Sequence, residues 1–525
     1  MSPTLDLSSP YDVLVVGFGP SGAVAAAMLG QRGHRTLVID RLAGIYDKPR
    51  AIALDHEIPR HFDNMGVMDE VLPHVTPFTA SEHFGAQGQL IRRIDMVAPP
   101  YPLGYTPSMV FTQPPVEAAL RRHVQGLSNV TVALQTELVD LVDEGDEVKA
   151  TVRDATGHLR TVRARYVVGC DGASSTVRQL AGLQLTDLVF DEPWLVVDIR
   201  VHAHAQAKLP PVSAQFCDPA RPTSYLVGPG NHRRWEIMLL PGEAPRDMEA
   251  PDRVWQLLAP WLTPEDGELW RAAAYRFHAL VASRWRHGRV FIAGDAAHQQ
   301  PPFIGQGMCQ GLRDVANLAW KLDRVLRGQS SEALLDSYGV ERQRHVQTLT
   351  GRIKAIGQTI CERDPEAAAA RDARILVEGG GQPLTITRQE IVPPLEAGLI
   401  APPGTAARGL LFPQPFVVQG ATRGLLDHVI GTGWRLILDG RALARAQVPV
   451  ETEVFTDLTV VSVAPEEGPA MDPDAWRETD SVLAAWFDRH QAIAALVRPD
   501  HYVFGAAGDL PSLRQQLAQA RAGLA

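Results

Sequence analysis

Cysteine is scarce, with four residues in 525: Cys170, Cys217, Cys309 and Cys361. None forms a CxxC pair or stands at zinc-ligand spacing from another Cys or His, so neither a redox dithiol nor a zinc centre is expected. Isolated reduced thiols fit a cytoplasmic protein. Long apolar runs are also missing, and none approaches the roughly 18 residues that suggest a membrane span. The opening MSPTLDLSSP has neither a basic nor an apolar region, so no signal peptide is expected. Positive charge is in deficit, with 50 Lys and Arg against 60 Asp and Glu and a formal net charge of −10. Without a clustered basic face, nucleic acid is not an expected partner. No fixed period recurs, which argues against a solenoid or propeller.

The chain does have an ordinary globular composition, 45% hydrophobic and 21% charged. Its length suits about three domains at roughly 150 residues each. The first forty residues read as a βαβ unit. Tyr11 to Val16 is an apolar run with β-branched residues, fit for a buried parallel strand. A glycine-rich turn follows, then a helix through Ala23 to Gln31 and a second buried strand over Arg35 to Ile39. Arg165 to Gly169 is another apolar strand, running into Asp171-Gly172.

From about Trp194 to Gly242, short strands broken by Pro, Gly and Asp predict an antiparallel meander. Arg289 to Ala293 returns to the buried-strand pattern, with helix from about Gly307 to Leu326. The stretch from about Asp364 to Thr405 reads as connecting structure. The predicted organisation is a nucleotide-binding domain in two parts, residues 1–180 and 288–400, the second including connecting helices. Residues 181–287 form an inserted antiparallel sheet domain for substrate, and residues 401–525 form a mixed α/β C-terminal domain.

Gly17-Phe18-Gly19-Pro20-Ser21-Gly22 follows the first strand and opens the helix. Gly17 permits the tight turn, Gly19 lets the backbone approach a pyrophosphate, and Gly22 permits close helix–strand packing. The helix start supplies free N–H groups and a positive dipole end. Asp40 stands at the end of the second strand, where a carboxylate can accept hydrogen bonds from a ribose; Arg41 beside it can lie over an adenosine or point into solvent. The motif alone does not separate NAD from FAD.

A second motif, Gly294-Asp295-Ala296-Ala297-His298 with Pro301-Pro302 and Gly305-Gln306-Gly307, again follows a buried strand and precedes a helix. Here the sequence resembles the class A flavoprotein aromatic hydroxylases, the para-hydroxybenzoate hydroxylase family, and within it the 3-(3-hydroxyphenyl)propionate hydroxylases. The resemblance runs from about Tyr11 to His345. It implies a Rossmann-like α/β FAD-binding domain, with Asp295 on the ribityl chain of FAD. It also implies that Pro302 and Gly305 through Gly307, Met308 and Cys309 lie along the ring. Cys309 departs from the Asn usual there. Gly169-Cys170-Asp171-Gly172, continuing to Arg178, resembles the family motif near the pyrophosphate that takes part in NAD(P)H binding; alone it would read as a plain Asp-Gly turn. Arg50 in Lys48-Pro49-Arg50-Ala51 and Gln113 in Phe111-Thr112-Gln113-Pro114 match family residues near the FAD.

No second GxGxxG follows a strand, which favours transient binding of NADH or NADPH. Leu425-Leu426-Asp427 with Gly431, and Leu496-Val497-Arg498-Pro499-Asp500, resemble the thioredoxin-like domain appended to many relatives. No cysteine follows Cys361, so dithiol chemistry is excluded there and a structural or oligomerisation role, such as a homodimer, remains.

The resemblance thus implies FAD- and O2-dependent hydroxylation of a small phenol in aromatic catabolism, ortho to its hydroxyl. The alternatives are a larger polyketide or flavonoid phenol, or a flavin oxidoreductase that does not hydroxylate. Such chemistry wants a base or acceptor at the phenol hydroxyl. The sequence names none: Tyr225, Tyr275, His278 and His298 are candidates, each more readily a packed or solvated residue. Arg221 and Arg234 are candidates for a substrate carboxylate, with surface exposure expected of both.

Overall fold

The computed structural model describes residues 9–448 and 458–525. Val13, Leu14 and Val15 are wholly buried, as strands covered on both faces require. Each such burial contributes about 2 kcal/mol. Tyr11–Val16 pairs in parallel with Thr36–Asp40 on one side and Leu159–Gly169 on the other. Val130–Leu134 and Val290–Ile292 extend this sheet outward, also in parallel. The helix Pro20–Gln31 presents Gly22, Ala23, Ala25, Ala26 and Ala27 as buried residues. That small-residue surface lets it pack tightly against the helix Gly307–Leu326.

The register of this sheet positions the site. Val16 is level with Gly169, and Gly169 with Ile292. Three segments distant in sequence therefore leave the sheet side by side at its carboxyl edge.

The chain also forms a second sheet, of nine strands. Its centre holds the expected meander, in Leu185–Val201, Ser213–Phe216, Thr223–Val227 and His232–Met238, with Gly267–Ala282 paired to its first strand. It also recruits Ala80–Phe84, Leu90–Asp95 and Leu384–Thr387, all outside 181–287. Strand alternation splits its side chains into two sets. Leu195, Val197, Trp235 and Ile237 pack with Val254 and Leu258 of the helix Pro251–Leu258. Trp194, Val196 and Met238 face the opposite way and pack with Phe303, Ile304, Leu349 and Ile353.

The stretch read as connecting structure is more ordered than expected. Pro365–Glu378 is a helix, because its alanines favour one and Asp364 caps it by accepting from Ala367 N at 2.8 Å.

The C-terminal sheet has the thioredoxin-like arrangement. Arg435–Asp439 runs parallel to Thr459–Pro465 and antiparallel to Ala494–Val497, which pairs with Val503–Ala507. Two buried polar clusters fix it to the rest. Arg60 Nε and Nη2 donate to Asp427 Oδ2 and Oδ1 at 2.7 and 2.9 Å. Arg498 donates to Glu341 and Asp500, both at 2.6 Å, while Lys321 donates to Glu341 at 2.7 Å. Among the described residues, no helix is long and apolar enough to cross a membrane.

Candidate active site

Three glycines of the first turn have separate duties. Gly17 has φ +98°, and a Cβ on it would stand 2.4 Å from the Cys170 carbonyl oxygen. A Cβ on Gly22 would stand 1.9 Å from the Gly17 oxygen. On Gly19 it would meet nothing within 4 Å, leaving an opening where a phosphate can reach the backbone. Pro20 starts the helix and Gly19 supplies no side-chain cap, so its first-turn N–H groups remain available to an anion. Asp40 Oδ2 accepts from Phe18 N and Oδ1 from Leu42 N, each at 2.7 Å. The carboxylate therefore shapes the turn. Arg41 beside it is exposed.

The second motif meets the first directly. Cβ atoms on Gly294 and Gly311 would lie 2.8 and 2.4 Å from Ser21 Oγ, so only glycines allow this approach. Asp295 is open to the cleft and makes no protein hydrogen bond among the described residues. Its surroundings still desolvate it enough to raise its pKa, against the pull of His298 and Arg50. Asp171 accepts from Ser175 Oγ and, at 3.0 Å, Val177 N, so it orders its own turn. Arg178, read from sequence as a cation near phosphates, instead donates to the carbonyls of Ala173 and Ala296, both at 2.9 Å. It ties the Asp171 turn to the Asp295 segment.

Gln113 is buried and accepts from Ala51 N at 2.7 Å, fixing the loop that displays the exposed Arg50 side chain. Beyond partly exposed Pro302, Gly305 (φ +62°) would drive a Cβ to 2.6 Å from that of Ala53. Gly307 would meet nothing within 4 Å, and Met308 and buried Cys309 follow on the helix. The Cβ-free openings at Gly19 and Gly307 and the exposed, unengaged Asp295 carboxylate suit an extended dinucleotide such as FAD. Burial pushes the thiols of Cys309 and Cys217 up to about 12, and those of Cys170 and Cys361 also upward.

The second sheet grips the Arg50 loop. Asp198, wholly buried, accepts from His232 Nε2 and Arg234 Nε, each at 2.7 Å, with Arg271 at 3.7 Å. Arg234 also donates to the Arg50 carbonyl at 2.7 Å, and Arg271 to that of Pro49. Arg234 is thus a buried clamp on the Arg50 loop, contrary to the exposure its sequence position suggests. Arg221 is half-buried and spends both guanidinium edges on Glu243, at 2.7 and 2.9 Å.

The base candidates are dispersed. Tyr225 donates to Pro210 O at 3.2 Å on the far side of the sheet. His298 is buried against Asp314 at 2.7 Å, which Arg342 also holds at 2.9 Å. Tyr275 is exposed beside Arg271, and His278 pairs with Asp191 at 3.3 Å. Sequence reasoning missed Glu236, which lies two residues beyond Arg234 and therefore shares its face.

Fold and cleft together define an FAD-dependent aromatic hydroxylase. The chain belongs to the FAD binding domain family, whose model matches residues 10–352; the HcaD C-terminal domain matches residues 409–520. The chain is 37% identical over 507 residues to a probable NADH-specific resorcinol 4-hydroxylase of Rhodococcus jostii strain RHA1, covering 96% of this chain and 93% of that protein. It is 34% identical over 519 residues to a 3-(3-hydroxy-phenyl)propionate/3-hydroxycinnamic acid hydroxylase of Mycobacterium sp. strain KMS, covering 94% and 88%. Among solved structures, the flavin-dependent monooxygenase PieE in complex with FAD and substrate superimposes with a TM-score of 0.82. It is 22% identical, with 99% of this chain and all of that one covered, and shares the fold.

Proposed function

We propose that this enzyme hydroxylates a small phenol bearing a second substituent meta to its hydroxyl, a resorcinol-type compound, at an ortho carbon. NADH is its electron donor and O2 its co-substrate. The observation that carries the reading is the convergence at Ser21, where the glycine turn and the segment holding Asp295 come into close contact. The named resorcinol and hydroxyphenylpropionate relatives support the substrate class.

In this reading Gly17, Gly19, Pro20, Ser21 and Gly22 hold the pyrophosphate, with Asp40 and Arg41 at the adenosine end. Asp295 receives the ribityl hydroxyls, while Arg50, Gln113 and Pro302 flank the ring. The backbone of Gly305, Gly307, Met308 and Cys309 contacts the ring edge, and the Asp171 turn faces the nicotinamide nucleotide. Bound FAD supplies the oxygen activation and transfer; the protein supplies position and a dry pocket. The apolar wall of Trp194, Val196, Met238, Phe303 and Ile304 excludes water from the aromatic ring.

A carboxylated phenol is the second reading, favoured by the hydroxyphenylpropionate relatives. Against it, Arg234 is already committed to Asp198 and main-chain carbonyls. A cytoplasmic location and a homodimer belong to the same proposal. The deciding experiment follows NADH and NADPH oxidation with resorcinol, 3-(3-hydroxyphenyl)propionate and larger phenols, identifying products by mass spectrometry. Ring-hydroxylated catechol-type product supports the proposal; peroxide release without hydroxylation overturns it.

A further inference from the structure

Most buried polar groups find a partner, because an unpartnered one costs free energy and a charged one costs most. Glu236 is an exception. Its side chain is 4% exposed, and among the described residues it makes no hydrogen bond or ion pair. It lies in the fourth of the second sheet's nine strands, opposite Val196 on one neighbour and Ser224 on the other. Alternation puts it between Arg234, which grips the Arg50 loop, and Met238, which packs with Phe303 and Ile304. Glu236 therefore shares the sheet face that meets the Arg50 loop and the Phe303-Ile304 segment, both placed beside the ring in the proposed binding mode.

Its neighbours leave it free. Ser224 directs its hydroxyl to Gln215 Oε1, and Arg234 is turned to Asp198 and the carbonyls of Arg50 and Pro49.

We propose that Glu236 takes the hydroxyl proton of the phenolic substrate. The phenol O–H bond breaks as a carboxyl O–H bond forms on Glu236. The electron pair left on oxygen spreads into the ring, making the ortho carbon more nucleophilic, and no redox change occurs in this step. The assignment rests on the phenol-hydroxylase reading above and supplies the base that it lacks. The environment suits the role: burial pushes the Glu236 carboxyl up to about 7, with Arg234 and Arg271 pulling down and Asp198 pushing up. His232 on the same strand is engaged by Asp198, and His83, in line across the sheet beyond Ser224 and Gln215, is held neutral at about 3. Arg388, packed over Phe78, donates to Ile304 O.

The test compares FAD-loaded wild type with Glu236→Gln and Glu236→Asp. Glu236→Gln should keep its visible flavin spectrum and its melting temperature, since it exchanges an unpaired carboxyl for a neutral amide. Product formation from resorcinol should fall about 100-fold, as expected for loss of a general base. Wild-type kcat/KM should rise with pH through about 7, and Glu236→Gln should lose that inflection, while Glu236→Asp keeps it at reduced rate. An acidic nitrophenol bound without NADH, a closer match than resorcinol to a carboxyl near 7, should carry a stronger phenolate band in wild type than in Glu236→Gln. A Glu236→Gln enzyme within threefold of wild type, with the inflection intact and the nitrophenolate band unchanged, overturns the assignment. A nitrophenolate band that needs Glu236, in a wild type that forms no hydroxylated product, supports the assignment and overturns the reaction.

Discussion

Arg60 and Asp427 lie 367 positions apart, and their guanidinium and carboxylate meet edge to edge with no exposure of either side chain. Arg435 shares the same carboxylate. Asp427→Ala would strand two buried guanidinium groups without a counter-charge, a change that costs about 3–5 kcal/mol. The expected outcome is a lower melting temperature and early proteolytic release of the C-terminal unit, read by calorimetry and limited trypsin digestion.

Gly19 and Gly22 separate cofactor binding from folding. Gly19→Val places its side chain in open space, so the fold should survive while FAD affinity falls at least about tenfold, or about 1.4 kcal/mol. Gly22→Ala forces a Cβ into the Gly17 carbonyl and should destabilise the protein by about 1–3 kcal/mol or more. Fluorescence titration of FAD and chemical denaturation distinguish the two.

Asp295 and His298 should likewise diverge, although they stand three residues apart. Asp295→Ala removes an unengaged carboxylate, so the apoprotein should remain folded while FAD binding weakens by about 1.5–3 kcal/mol. His298→Ala breaks a buried contact with Asp314 and should lower stability by about 1.5–3 kcal/mol. Its turnover per bound flavin should stay within about twofold of wild type, because His298 faces Asp314 and Trp285.

Acid stability should report the second docking cluster. Arg498 and Lys321 hold the Glu341 carboxyl down to about 2, overcoming its burial. A carboxyl depressed in the folded state stabilises above its unfolded pKa of about 4.5, and the gain disappears as pH falls towards about 2. The stake is about 3 kcal/mol. Melting temperatures measured from pH 6 to pH 3 should fall steeply in wild type and much less in Glu341→Gln, which starts lower.

The nucleotide-binding half was legible because its chemistry is local. A strand, a glycine turn, a helix and Asp40 fall within thirty residues, and each has a sequence signature. The Asp295 segment was legible through resemblance, and the level register of Val16, Gly169 and Ile292 explains why it meets the first turn. The substrate side was hidden. Arg234 reads as a surface arginine until Asp198, 36 positions away, is placed beside it. Glu236 carries no motif; only its place in a tertiary sheet shows that nothing pairs with it. Strand alternation from Arg234 was the one available signal, and it needed the knowledge that Arg234 faces inward. The helix Pro365–Glu378 has no sharp sequence signature because Ala, Gly and Pro mix in that stretch, although the glycines lie beyond its end.

The raised thiol pKa values have a practical side. A thiol reacts as its anion, so Cys170, Cys217, Cys309 and Cys361 should all resist alkylation in the native enzyme near pH 8. One cysteine introduced at Val377, 77% exposed on its helix, would then be the sole handle for a fluorophore or spin label. The wild-type sequence is already a nearly silent background for spectroscopic work, with no native cysteine to be removed first.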